Sequence, residues 1–191
     1  MLKYLRLESY EDTLNNLHLQ RNGTQQRLLE ENRQFREEYT LRYMLDVETN
    51  GSASLLNLDR FEDPFSYTLE IATGSVGETR PVAVDLVETL NYLLGLRVRQ
   101  VRTIEDFRVV QGELPSGEKS LVIWRNLKEK SNADLDTFFQ TQGYNSREMG
   151  LEVIYVNGDN NLENLKRPGE TWRVRLTEEE FERLMFDTRD V

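Results

Sequence analysis

Ser120-Leu-Val-Ile-Trp124, Asn132-Ala-Asp-Leu-Asp-Thr-Phe-Phe-Gln-Thr-Gln142 and Leu151-Glu-Val-Ile-Tyr-Val156 decide the fold. The first and third are short apolar runs, the pattern of strands inside a sheet. The middle one reads as a helix from Ala133 to Gln142, with Asn132 as N-cap and Leu135, Phe138 and Phe139 facing inward. A helix between two such strands permits a crossover that makes them parallel.

Outward from this unit, Phe107-Arg-Val-Val-Gln-Gly112 and Ser120–Trp124 flank Pro115-Ser-Gly-Glu118 and predict a hairpin. Leu96–Val101 is a further strand. Trp172-Arg-Val-Arg-Leu176 predicts an edge strand, followed by a helix from Thr177 to Phe186 that Thr177-x-x-Glu180 opens as a capping box. Earlier, Ser54–Leu58 and the alternating Phe65–Ile71 read as strands around a turn from Asp59 to Pro64. After the loop Thr73–Arg80, Pro81 suits the first turn of a helix over Val82–Leu94, with Val84, Val87, Leu90, Tyr92 and Leu94 buried and Gly95 as the stop.

Residues 1–49 read differently. Ser9 and Asp12 start a short helix, Asn22-Gly23 turns, and Gln25 to about Met44 favours helix around the polar tract Glu30–Gln34. The expected architecture is α/β (or α+β), a mixed β-sheet with flanking helices over 50–191, preceded by an N-terminal helical arm over 1–49.

The chain has 191 residues, suited to one domain with an arm. No apolar run approaches the roughly 20 residues that span a bilayer, and the start lacks the pattern of a secretory signal. The absence of cysteine excludes disulfides, thiolate metal sites and a cysteine nucleophile, and fits the cytoplasm. A net charge of −10 argues against the whole surface gripping nucleic acid, although a local basic stripe is compatible with it.

The usual catalytic constellations are missing. His18 is the sole histidine and sits at the end of a predicted helix, where it reads as a surface or capping residue. With no second histidine and no cysteine, it forms no histidine metal cluster. Asp63-Pro-Phe-Ser-Tyr67 resembles the base-holding loop of adenine methyltransferases but lacks its second proline, and reads as a turn before a strand. Gly74-Ser-Val-Gly77 is at a place where a helix start binds anions, but reads as a connection. Glu113, Glu118 and Lys119 lack the E-x-K spacing of a nuclease site. No residue is assigned to catalysis, to a cofactor or to a metal.

Two features remain for binding. Arg97, Arg99 and Arg102 lie on or near one strand, the first two on one face by alternation, and with Arg108 they can contact phosphates. The competing reading is an edge strand protected by charge. The tract Asn157-Gly158-Asp159-Asn160-Asn161 follows a buried strand, where α/β sheets often carry ligand sites, and is also ordinary turn chemistry.

Lys3-Tyr-Leu-Arg-Leu-Glu-Ser-Tyr-Glu-Asp-Thr-Leu-Asn-Asn-Leu17 resembles the segment that follows the catalytic core in modification subunits of type III restriction systems, which are adenine-specific DNA methyltransferases. The likeness continues through Tyr43–Thr49, Ser75–Val82, Asp85–Gly95, Leu121-Val-Ile-Trp-Arg-Asn126 and Val153-Ile-Tyr-Val-Asn-Gly-Asp-Asn-Asn-Leu-Glu-Asn-Leu165, in order over nearly the whole chain. The resemblance implies a full-length enzyme that transfers methyl from S-adenosylmethionine to adenine N6 in DNA. It implies as partners the methyltransferase core itself, a second modification subunit and a helicase–nuclease restriction subunit, with DNA in the full complex. The catalytic loop and donor-binding turn of that family lie upstream of the resembling segment, so no catalytic residue carries over. The expectation is a non-catalytic C-terminal module for subunit assembly; the alternative is an accessory DNA-binding module using the arginine strand.

Overall fold

A computed structural model describes residues 61–73, 78–144 and 147–186. The helical arm, the capping residues Ser9 and Asp12, His18, the strand expected at Ser54–Leu58 and Gly74–Gly77 lie outside them. The described residues fall into two units, 69–82 in one, 61–68 and 83–186 in the other. The smaller carries most of a two-stranded sheet, β1 (Thr68–Ala72) and β2 (Thr79–Ala83).

The larger unit is α/β. Helix α1 (Leu86–Leu93) precedes β3 (Arg97–Ile104), β4 (Phe107–Glu113) and β5 (Lys119–Trp124). Helix α2 (Asn132–Thr141) leads to β6 (Val153–Val156), and β7 (Arg173–Leu176) runs directly into α3 (Thr177–Phe186). The five-stranded sheet keeps chain order, β3-β4-β5-β6-β7. Its first two pairings are antiparallel and its last two parallel, as the strand–helix–strand reading required of β5 and β6.

Alternation along the central strands feeds two apolar layers. Leu121, Ile123, Ile154 and Val156 join Leu135, Phe138 and Phe139 of α2 in one core, where Phe107 and Phe138 stack at 4.2 Å. From the alternate positions, Trp124 meets Phe181 of α3, which in turn meets Phe61. Coverage from both sides explains why β5 is buried from Ser120 onward and β6 throughout.

Local chemistry moved several boundaries. Pro81 lies in β2, and α1 begins later because Asp85 caps it, its side chain accepting from Glu88 N at 3.0 Å. Tyr92 is 61% exposed rather than buried, while Leu86 takes an inward position. Ser131, not Asn132, caps α2 through a capping box with Asp134. Thr177 and Glu180 form no such box: Thr177 Oγ1 donates to Glu178, and Glu180 turns to Arg175 and Arg183. Gly95 ends α1 as expected, with φ of 61° and its N–H on Tyr92 O.

Candidate functional site

The parallel strands β5, β6 and β7 end side by side, and the residues that follow them form a bonded cluster. Arg125 comes after β5, the tract Asn157–Asn161 after β6, and Glu178 at the start of α3 after β7. Asn157 is fully buried; its Oδ1 accepts from Arg125 N at 2.9 Å, and its Nδ2 donates to Arg125 O at 2.8 Å and to Phe61 O at 3.4 Å. The β5–β6 ladder ends with Ile123 opposite Val156, so this side chain continues the strand pairing beyond it.

Arg125 is 1% exposed; both terminal nitrogens of its guanidinium are bonded, while its buried Nε has no hydrogen-bond partner among the described residues. Nη1 donates to Ser131 O at 2.6 Å, and Nη2 to Asn132 Oδ1 at 2.6 Å and Asp159 O at 2.7 Å. It therefore ties the start of α2 to the loop after β6. Burial lowers its pKa from the ordinary value, opposed by the charges of Asp136, Asp134, Asp159 and Glu178. Gly158 N donates to Glu178 Oε1 at 2.8 Å, and burial raises the pKa of that carboxyl above its ordinary value. Asn160 closes the turn on itself: its Oδ1 accepts from Leu162 N, and its own N bonds Asp159 Oδ1. Asn161 is exposed and makes no side-chain cap for the short 3-10 helix that follows. Four members of the tract thus serve as loop architecture.

The arginines occupy the first strand of the sheet and its neighbour. A bulge interrupts the β3–β4 register between Val98 and Gln100, so simple alternation fails at Arg99. Arg97 and Arg102 are exposed, and Arg99 pairs with Glu113 at 3.1 Å. Arg108 lies on β4 opposite Thr103, at the other end of the ladder from Arg97; its Nε donates to Thr103 Oγ1, and its guanidinium lies over the Phe65 ring at 5.8 Å. Among the described residues β3 has no pairing strand on its outer side. A bulge and exposed arginines are the usual protection of such an edge.

The remaining sequence candidates resolve into structure. Asp63 accepts from Phe65 N and Ser66 Oγ, which makes Asp63–Tyr67 the expected turn. Glu113 and Glu118 are drawn to different arginines, Arg99 and Arg173. Among the described residues no three His, Asp or Glu side chains gather to hold a metal ion, and no helix is long and apolar enough to cross a membrane.

A third arrangement had escaped the sequence. Tyr155 and Arg175 are partners across β6 and β7, Arg173 is two residues away on the same face, and Arg183 projects from α3. These four side chains, with Glu118, line a cavity of about 420 Å³. Glu180, only 4% exposed, anchors two of them: Arg175 Nη1 donates to its Oε1 at 2.6 Å and Arg183 Nη2 to its Oε2 at 2.7 Å. Arg173 Nη2 donates to Glu118 Oε1 at 2.6 Å. The hydrogen bond to Glu180 raises the Arg175 pKa, and that from Ser116 lowers the Glu118 pKa. The only advance signal was the alternation of Arg173 and Arg175 around Val174. Comparison with family models, with curated proteins and with solved structures finds no match.

Proposed function

We propose that this chain is the non-catalytic C-terminal module of a site-specific adenine-N6 DNA methyltransferase of a type III restriction–modification system. Its role is subunit assembly in the cytoplasm, by dimerisation or by docking of the helicase–nuclease restriction subunit. The observation that supports a scaffold role is the position of the family-like strings. Leu121–Asn126 and Val153–Leu165 contain most of β5 and all of the adjacent β6, and their polar residues Arg125 and Asn157 bond each other and the flanking loops. Those residues build a rigid frame instead of facing a substrate. S-adenosylmethionine binds the methyltransferase core in this reading, and DNA is contacted by the full complex.

The test is light scattering on the purified chain, together with capture of a type III modification subunit and its restriction subunit. A dimer, or retention of either subunit, is the expected result. A strict monomer that retains neither overturns the assembly role.

A second reading is favoured by one observation, the exposure of Arg97 and Arg102 beside Arg99 on the outer strand. An accessory module contacting phosphates there binds duplex DNA with an affinity that falls steeply with salt and drops in an Arg97→Ala, Arg99→Ala variant. Salt-independent binding, or none at low ionic strength, removes this reading.

A further inference from the structure

We propose that the cavity between β7, α3 and the β4–β5 hairpin binds a phosphate monoester of nucleotide size. Three guanidiniums, from Arg173, Arg175 and Arg183, converge on its lining. Their carboxylate partners are two, Glu118 and Glu180, so this group keeps one positive charge in excess.

Pairing does not exhaust the donors. A guanidinium carries five N–H groups in a fixed fork. Arg173 gives Nη2 to Glu118 and Arg175 gives Nη1 to Glu180, so each retains further donors. Glu180 therefore acts as a positioning residue: it fixes Arg175 and Arg183 from a buried site while their exposed parts stay open to a ligand. Arg183 gives both Nε and Nη2 to Glu180 Oε2 and contributes mainly its charge. The remaining donors of Arg173 and Arg175 match a phosphate with three acceptor oxygens better than a carboxylate with two. Tyr155 adds a hydroxyl that can donate to the ligand.

The remaining lining is Leu94, Leu114, Pro115 and Leu184, an apolar wall broken by Ser116, whose hydroxyl donates to Glu118. A volume of about 420 Å³ exceeds what a bare phosphate fills and lies in the range of small-ligand sites. The pairing of apolar wall and cationic lining selects an ester carrying a ring system over a free ion. This ligand chemistry stands on the cavity residues, so it does not depend on the subunit-assembly reading.

The test is titration calorimetry of the whole chain with adenosine 5′-monophosphate, inorganic phosphate, adenosine and citrate. Saturable binding of the monophosphate is expected, with weaker binding of phosphate and none of adenosine. Arg173→Gln, a change at a half-exposed pair, weakens the monophosphate at least about tenfold. Glu118→Gln removes a lining carboxylate that repels the ligand and tightens it about threefold or more. Opposite shifts from two partners in one ion pair cannot come from damage to the fold. Failure of the monophosphate to saturate, adenosine or citrate binding equally well, or affinity unmoved by both substitutions overturns the proposal.

Discussion

The Asn157 amide brackets the backbone of Arg125, accepting from its N–H at 2.9 Å and donating to its C=O at 2.8 Å. Both backbone groups lie just past the end of β5, where the ladder to β6 has stopped. A side chain thereby satisfies what the next backbone pair cannot, and it carries the loop 157–161 into place.

Asn157→Ala leaves those two groups without partners in a site closed to water. The expected loss is about 2–4 kcal/mol of unfolding free energy. Urea titration measures it, and Arg99→Ala is the control: that exposed pair with Glu113 contributes below about 1 kcal/mol. Equal effects of the two changes contradict a structural role for the Asn157 bracket.

Glu178 gives the protein a pH dependence of unusual sign for a carboxylate. Its folded pKa is raised by burial above the ordinary 4.5, so the folded state holds a proton that the unfolded state has released. Stability from this group falls as pH rises from that ordinary value to the raised one, and is flat above it. Glu178→Gln removes the slope and retains an acceptor for Gly158 N. Unfolding titrations of both proteins across this window should show the wild-type chain losing stability relative to the variant with rising pH. The opposite trend means that the hydrogen bonds from Gly158 and Thr177 outweigh desolvation.

Gly158 meets two constraints at once. Its φ is 71°, and an added Cβ would lie 2.7 Å from both terminal methyl carbons of Leu127. Gly158→Ala is expected to cost about 1–3 kcal/mol, of which the backbone part is about 1–2 kcal/mol. Adding Leu127→Ala relieves the collision but not the strain. A double-mutant cycle should therefore show favourable coupling between the two changes. Strict additivity would place the cost in the backbone alone.

These positions show what could be read in advance. Strands β5 and β6 and helix α2 were legible because burial on both sheet faces, or on one helix face, leaves an apolar pattern in the residues themselves. The link between β3 and β4 was not, because Glu105 and Asp106 take the two positive φ values of a tight turn where Asn-Gly is the familiar signal. The tract 157–161 was recognised as a loop, but its bond to Arg125 joins residues 32 apart and has no local mark. The arginine cavity was hidden for the same reason. Arg173 and Arg175 look like the polar side of an edge strand until Arg183 and Glu118 arrive from other elements.

Glu180 carries the last prediction. Its carboxylate is nearly inaccessible, while Arg175 and Arg183 remain partly open to water. Truncation to alanine leaves two guanidiniums facing each other without the intervening charge. Removing one partner of a fully buried pair costs about 3–5 kcal/mol. Solvent reaches both arginines here, so the expected loss for Glu180→Ala is nearer about 2 kcal/mol. Glu180→Gln keeps one oxygen as an acceptor and should lose less. The cause separates from simple loss of packing through salt. Added sodium chloride screens the repulsion between Arg175 and Arg183 that the alanine variant exposes, so its stability deficit should narrow as ionic strength rises. A deficit independent of salt identifies the lost side-chain volume, and not the charge, as the source.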